Sequence, residues 1–188
     1  MTALARLQKR LDELRILSKK SLGQNFLISD SVINKILAAV EDEKPVRVIE
    51  VGPGCGALTD LLAEKYKDLT LIELDRILAE FWRSQNFKLI EADALQMRWD
   101  FSAEHLLVSN LPYQISSSLV IDRSLDPIQL KAMILMFQKE VAQRIRAVQQ
   151  TEHYGMLSVI AQEFWVIGTV CDAGSRDFKP APKVSSRY

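Results

Sequence analysis

The chain has 188 residues, of which 48% are hydrophobic and 26% are charged, a composition that is ordinary for a globular domain with a full core and argues against disorder. Its 24 basic residues balance 24 acidic ones, so net charge neither indicates nor excludes a nucleic-acid partner. Two cysteines are too few for a disulfide framework or a metal cluster, and no apolar run could span a bilayer. We therefore expect a cytoplasmic protein with no membrane segment and no metal.

Residues 1–20 form a basic amphipathic arm. Leucines recur at helical spacing, at Leu4, Leu7, Leu11 and Leu14, and this spacing predicts a helix. Lysine and arginine outnumber acidic residues in the same segment, and such side chains contact phosphates without reading sequence. Two interpretations stay open, a helix packed on the domain with a solvated face and an arm that contacts phosphates.

The helical pattern breaks in residues 21–27, which read SLGQNFL. Ser29 or Asp30 can cap the next predicted helix. With its polar Gln24 and Asn25, the loop is suited to cover a bound ligand. A plain connector explains it equally well.

A strand, a glycine turn and a helix follow one another from Val46 onward. Val46–Val51 is apolar and of strand length, and Gly52, Gly54 and Gly56 come directly after it. Glycines let the backbone bend sharply and approach a ligand, and the start of a helix offers unpaired N–H groups. The pattern therefore predicts a nucleotide-like ligand, but it does not choose between a nicotinamide cofactor and S-adenosylmethionine.

Two acidic residues follow the next predicted strands. Glu73 lies near the end of Leu69–Leu74, and Asp93 comes shortly after Phe87–Ile90. Ligands of open α/β sheets bind at the carboxyl ends of the strands, where an acid can accept the hydroxyls of a ribose or an adenine amino group. A surface carboxylate for Glu73 and a helix cap for Asp93 are the competing interpretations.

The tetrapeptide Asn110-Leu111-Pro112-Tyr113 follows the predicted strand Leu106–Ser109. Proline stiffens the backbone, asparagine offers a donor and an acceptor, and tyrosine offers a flat face on which a base can stack. Together these groups can hold a planar molecule that bears an amino group. The alternative is a structural turn with a buried tyrosine.

The remaining chain continues the alternation of strands and helices. We predict a fifth strand at Leu130–Phe137 and a helix at Lys139–Val148 with Val148 facing inward. A second apolar helix is predicted at Met156–Phe164, a sixth strand at Val166–Val170 and a proline-stiffened loop at Phe178–Val184.

Taken in this order, the motifs resemble those of the ribosomal RNA adenine dimethyltransferases of the KsgA type. The resemblance covers residues 19–184 through KSLGQNFL, VIEVGPGCGALT, LIELD, EADAL, NLPY, QKEVAQRI, YGMLSV and FKPAPKV. It implies a Rossmann-like class I methyltransferase, an α/β fold with a mostly parallel central sheet flanked by helices, spanning residues 21–188. It also implies that the cofactor is S-adenosylmethionine, which leaves as S-adenosylhomocysteine.

Site residues carry over onto the matching positions. The resemblance implies a cofactor-binding set of Asn25, Leu27, Gly52, Gly54, Glu73, Asp93 and Asn110. In this set Glu73 holds the ribose hydroxyls, Asp93 the adenine, and Asn110 lies between cofactor and target. It further implies that Asn110 and the Leu111 carbonyl bind the target amine next to Pro112, while Tyr113 and Phe178 sandwich the flipped adenine.

The implied substrate is small-subunit ribosomal RNA within a pre-30S particle, dimethylated at adenine N6 by a monomeric enzyme with a role in ribosome assembly. The sequence departs from the family pattern at two places. Gln114 stands where the family often has asparagine, and SSRY at residues 185–188 replaces the strand-like residues expected next. The last strand and the C-terminal helical domain are absent from this sequence, as in a fragment of a longer protein.

Three other functions compete with this interpretation. One is another aminomethyltransferase, acting on DNA adenine or protein glutamine. The second is a nicotinamide-dependent oxidoreductase, which requires a hydride-transfer site that the motifs do not supply. The third is an RNA-binding assembly factor with little catalytic activity.

Overall fold

A computed structural model describes residues 1–15 and 24–188 of the chain. Its α-helices in these ranges are α1 Ala3–Leu14, α2 Asp30–Asp42, α3 Thr59–Lys65, α4 Arg76–Ser84, α5 Tyr113–Leu125, α6 Lys139–Ile145 and α7 Met156–Phe164. The strands are β1 Phe26–Leu27, β2 Arg47–Val51, β3 Leu69–Glu73, β4 Lys88–Glu91, β5 His105–Ser109, β6 Ala132–Leu135, β7 Phe137–Gln138, β8 Asp172–Ala173, β9 Phe178–Lys179 and β10 Ser186–Arg187.

Five parallel strands form the central sheet, in the order β4-β3-β2-β5-β6. In the register, Ile49 lies between Thr70 and Leu107. The chain first builds the sheet outward from β2 through β3 to β4, then returns to the other side of β2 with β5 and β6. This reversal opens a crevice at the carboxyl ends of β2 and β5, where open α/β sheets bind their ligands. The predicted fold class is confirmed.

Hydrophobic residues of the sheet point alternately to its two faces, as the period of a strand requires. Val48 and Leu106 pack in one cluster, which also contains Ile33 of α2. Ile49 and Leu107 pack in a second cluster. Both faces are covered, which explains why the parallel strands are nearly continuous apolar runs.

Helix α1 packs against the glycine turn, so the packed-helix interpretation holds for Ala3–Leu14. Leu7 is buried, whereas Leu4 is 43% exposed. The Arg10 side chain donates hydrogen bonds to the Cys55 carbonyl at 2.7 Å and to the Asp60 carboxylate at 3.1 Å. At least one basic side chain of this helix therefore binds groups of the protein itself. Lys19, Lys20 and residues 21–23 at the start of the loop lie outside the described residues.

Three predictions for the second half of the chain are wrong. The run Leu130–Phe137 splits, because β6 ends at Leu135 and Phe137 joins a small antiparallel sheet. Helix α6 ends at Ile145, and Val148 is 63% exposed. Val166–Val170 is irregular rather than a sixth strand. The Val170 N–H donates to the Tyr188 carbonyl at 2.8 Å, but the segment and β6 both line a cleft of about 580 Å³ and do not pair with each other.

The expectation that SSRY is not strand-like is wrong for Ser186 and Arg187. These two residues form β10, which pairs antiparallel with both β7 and β8. Arg187 also binds the carboxylate of Asp172 on the neighbouring strand. Partners on both sides and this cross-strand ion pair compensate for the weak strand propensity of serine and arginine.

Both cysteines are free and buried. Burial raises the pKa of Cys55 to about 12, so this thiol stays protonated and is a poor nucleophile. None of the helices that the structure describes is long and apolar enough to cross a membrane. Within residues 1–15 and 24–188, no three His, Cys, Asp or Glu side chains are grouped as metal ligands.

The fold predicts that Gly56→Ala destabilises the protein. Gly56 has a φ of +80°, and a Cβ there would lie 2.7 Å from the Trp82 ring. Strain and overpacking together should lower the free energy of unfolding by roughly 2–4 kcal/mol. Urea unfolding measures this loss, and Gly168→Ala is the matched control because a Cβ at Gly168 meets nothing within 4 Å. Equal stability of the two variants would contradict the packing described for this turn.

Candidate active site

A cavity of about 270 Å³ opens at the carboxyl ends of β2, β3 and β5. Of the residues predicted to bind cofactor or target, those lining it are Asn25, Leu27, Gly52, Gly54, Glu73, Asp93, Asn110, Leu111 and Pro112. Residues of α1 also line it, at Ala3, Arg6 and Leu7. The fold therefore brings these predicted residues together at the crevice created by the reversal of strand order.

The glycines of the turn serve different purposes. Gly52 and Gly54 both have positive φ, at +67° and +54°, a region that L side chains rarely adopt. A Cβ on Gly52 would enter open space, whereas a Cβ on Gly54 would lie 3.3 Å from the Phe26 ring. The Trp82 indole N–H donates to the Gly54 carbonyl at 3.0 Å. Trp82 and Phe26 thus hold the turn at Gly54, and the open space at Gly52 leaves room for a ligand.

Glu73 is buried at the end of β3, and its carboxylate is oriented by backbone groups. One oxygen accepts the Asp75 N–H at 2.8 Å and the other accepts the Gly54 N–H at 3.2 Å. Burial raises the pKa of Glu73, and the backbone hydrogen bonds offset part of that rise. Each carboxylate oxygen can accept a further hydrogen bond, so Glu73 is equipped to bind a pair of hydroxyls.

Asp93 supports the turn in which it lies. Its carboxylate accepts the Leu95 N–H at 2.9 Å and the Gln96 side-chain amide at 2.8 Å. These contacts resemble the predicted capping role, although no helix begins here. Asp93 nevertheless lines the cavity together with Ala92 and Ala94, so a carboxylate acceptor lies at the cavity wall between two small side chains.

The Asn110 side chain is held in one orientation. Its Nδ2 donates to the Asn25 carbonyl at 3.0 Å, and its Oδ1 accepts the Tyr188 hydroxyl at 2.8 Å. A backbone carbonyl only accepts, so the nitrogen must face Asn25 and the oxygen must face the other way. Oδ1 has a second lone pair and can therefore accept one further hydrogen bond.

The two aromatic residues predicted to stack on the target adenine do not line this cavity. The Tyr113 hydroxyl shares a 2.7 Å hydrogen bond with Ser186. Phe178 is 2% exposed and lies in the core, and its backbone pairs with Leu27. A base could stack on Phe178 only after that ring becomes exposed, so the sandwich stays a prediction.

Several cavity residues were not predicted from the sequence. They include Ala3, Arg6, Leu7, Phe26, Glu50, Leu58 and Ile115, and Gln114, which was noted above only for its departure from the family, also lines the cavity. Of these residues, Glu50 could have been found from the sequence, because burying an acidic side chain within the apolar run VIEV costs free energy that a functional role would explain. It is 2% exposed, and its Oε2 has no hydrogen-bond partner among the described residues.

Burial raises the pKa of Glu50 to about 8. The Thr59 hydroxyl offsets part of this rise, whereas Asp60 and Glu73 add to it by repulsion. At neutral pH the Glu50 carboxyl is therefore mostly protonated.

A parallel sheet with a glycine turn after β2, an acid at the end of β3 and an asparagine after β5 defines the class of Rossmann-like methyltransferases. The family model of "Ribosomal RNA adenine dimethylase" matches residues 16–187. The chain belongs to this family, and its enzyme class is that of the methyltransferases.

Curated relatives agree with this assignment. "Ribosomal RNA small subunit methyltransferase A" of Bdellovibrio bacteriovorus is 55% identical over 185 residues, which cover 97% of this chain and 68% of the relative. The protein of the same name from Mycoplasmopsis pulmonis is 39% identical over 173 residues, covering 90% of this chain and 68% of the relative. The chain thus spans about two thirds of the length of these relatives.

Two solved structures are similar to most of this chain. A dimethyladenosine transferase from Plasmodium falciparum superposes with a TM-score of 0.75 at 28% identity, covering 86% of this chain and 60% of the other. The 23S rRNA methyltransferase ErmE superposes with a TM-score of 0.69 at 29% identity, covering 87% and 67%. RNA is therefore the class of substrate that the family acts on.

The raised pKa of Glu50 predicts a pH dependence of stability. Its folded pKa of about 8 exceeds the model-compound value of 4.5, so the folded state binds more protons and loses stability as the pH rises from about 4.5 to 8. Glu50→Gln removes this loss. Between pH 5 and pH 8 the variant should gain roughly 2–4 kcal/mol relative to wild type in urea unfolding.

Glu64→Gln serves as the control, because Glu64 is exposed on α3. It should follow the wild type at both pH values. An equal change for Glu50→Gln and Glu64→Gln would contradict the buried, protonated state of Glu50.

Proposed function

We propose that this chain transfers methyl groups from S-adenosylmethionine to the N6 amine of adenines in small-subunit ribosomal RNA. The observation that carries the proposal is the Asn110 side chain, which lines the same cavity as Gly52 and Glu73 and is held in one orientation by the Asn25 carbonyl and the Tyr188 hydroxyl. Family membership supports the methyl-transfer chemistry and RNA as substrate.

The lining of the cavity fits an adenosyl amino-acid cofactor. The open space above Gly52 admits a ligand close to the backbone, Glu73 offers acceptors for ribose hydroxyls, and Asp93 offers an acceptor for an adenine amino group. Asn25 and Leu27 cover the cavity from the loop side. When bound, S-adenosylmethionine supplies a methyl group on a sulfonium that is already activated for displacement.

The protein's task is then to position the adenine amine. The N6 lone pair is delocalised into the ring, and acceptance of N–H protons by Asn110 Oδ1 and the Leu111 carbonyl favours a pyramidal, more nucleophilic nitrogen. Pro112, with φ of −56°, stiffens this segment at the start of α5. No general base is required, because the methylated amine is acidic enough to lose its proton to water. Positioning accounts for most of the rate.

The substrate must present an unstacked adenine, since N6 cannot reach the cavity from within a helix. We propose a pre-30S particle as the substrate and a monomeric, cytoplasmic enzyme that takes part in ribosome assembly. The names of the curated relatives support the small subunit. The family match favours RNA over DNA adenine and protein glutamine, and it argues against a nicotinamide oxidoreductase.

Asn110→Ala tests the proposal, because it removes the acceptor for the target amine. We expect kcat for methyl transfer to unmethylated small-subunit particles to fall at least about a hundredfold. The affinity for S-adenosylhomocysteine should change less than about threefold, since that ligand makes most of its contacts elsewhere in the cavity. Radiolabelled methyl transfer and calorimetry measure the two quantities.

Asn34→Ala is the matched control, because Asn34 is exposed on α2. It should retain wild-type transfer. Large-subunit particles and duplex DNA serve as alternative substrates in the same assay. Wild-type protein that methylates either one in preference to small-subunit particles would contradict the proposed substrate, and full activity of Asn110→Ala would contradict the proposed site.

A further inference from the structure

The guanidinium of Arg6 is an incompletely paired cation at the wall of the cavity. Arg6 lies on α1 and lines the cavity together with Ala3 and Leu7. Its Nε and Nη2 atoms are buried and have no hydrogen-bond partner among the described residues. The Nη1 atom donates to the Met1 carbonyl at 3.1 Å, and Nε lies 3.9 Å from the Asp60 carboxylate. Buried donors without acceptors are costly unless a ligand completes them.

The charges around Arg6 leave this cation without a full counter-charge. Asp60 is the nearest acid, but Arg10 already binds both of its oxygens at 3.1 Å. Glu50 lines the same cavity, but burial keeps its pKa at about 8, so its carboxyl is mostly neutral. Two guanidinium groups therefore share one carboxylate, and this end of the cavity carries about one net positive charge.

The remaining acids of the cavity have hydrogen-bond partners of their own, and neither forms an ion pair with Arg6 among the described residues. The Glu73 carboxylate is bound by the Gly54 and Asp75 N–H groups, and the Asp93 carboxylate by the Leu95 N–H. Arg6 is the only lysine or arginine among the cavity-lining residues that the structure describes. An anionic group of a ligand would thus find its complement at Arg6.

We propose that Arg6 binds the α-carboxylate of the amino-acid end of S-adenosylmethionine. This inference rests on the proposed function and adds a contact from α1, outside the motifs that predicted the site. The Nε and Nη2 atoms are the two adjacent donors of the guanidinium fork, which is the arrangement that binds a carboxylate through two parallel hydrogen bonds. Both atoms are buried in this structure, so binding requires the guanidinium to turn toward the cavity that Arg6 lines. The contact also gives α1 a role, because this helix then closes the cavity over the ligand.

Three ligands with different amino-acid ends test the proposal. S-adenosylmethionine has the carboxylate and the ammonium, decarboxylated S-adenosylmethionine keeps only the ammonium, and 5′-methylthioadenosine lacks both. For wild-type protein we expect calorimetry to give a Kd for S-adenosylmethionine on the order of ten- to a hundredfold lower than for the decarboxylated ligand. Arg6→Gln should abolish that preference and should leave binding of 5′-methylthioadenosine within about twofold.

Two further variants sharpen the comparison. Arg6→Lys keeps the charge without the fork, so it should retain part of the preference for the carboxylate. Lys9→Gln removes an exposed cation from the same helix and should behave as wild type. Thermal unfolding of each variant reports whether α1 still packs.

The outcomes separate the inference from the proposed function. Wild-type protein that binds S-adenosylmethionine and its decarboxylated form equally would overturn the assignment of Arg6, even if no Arg6 variant folds. Equal weakening of all three ligands by Arg6→Gln would also overturn it, because a general effect of α1 packing would then explain the loss. Wild-type protein that binds none of the three ligands would contradict the proposed function itself.

Discussion

The backbone of the turn after β2 is the constraint on which the site depends. Gly52, Gly54 and Gly56 all adopt positive φ, and each side of the turn is held by a different neighbour. Trp82 binds the Gly54 carbonyl from below, Glu73 binds the Gly54 N–H, and Arg10 binds the Cys55 carbonyl. Because these contacts come from three separate elements, the turn keeps its open face toward the cavity.

The same contacts connect the turn to the rest of the cavity wall. Arg10 belongs to α1, which also contributes Arg6 and Leu7 to the lining. Asn110 joins the end of β5 to the loop before β1 through the Asn25 carbonyl. Contacts from α1, β3, α4 and the segment after β5 thus hold the cavity wall, although these elements are far apart in the sequence.

Local sequence patterns predicted much of this architecture. The parallel strands of the sheet, the glycine turn and the placement of Glu73, Asp93 and Asn110 follow from apolar periodicity and from the rule that ligands bind at strand ends. The segment Val166–Val170 was mispredicted because strand formation depends on a partner edge, which local composition does not reveal. Arg6 and Tyr188 were missed for a related reason, since their contacts with the site arise only when distant parts of the chain pack together.

Ligand-induced changes in the NMR spectrum test the central claim most directly. The account predicts that S-adenosylhomocysteine, titrated into isotope-labelled protein, shifts the backbone amides of Gly52 and Gly54 and the side-chain amide of Asn110 in one saturable transition. Signals from the exposed helix positions Asn34 and Glu64 should stay in place. Saturable binding that leaves the Gly52, Gly54 and Asn110 signals unchanged, or no binding at all, would contradict the account.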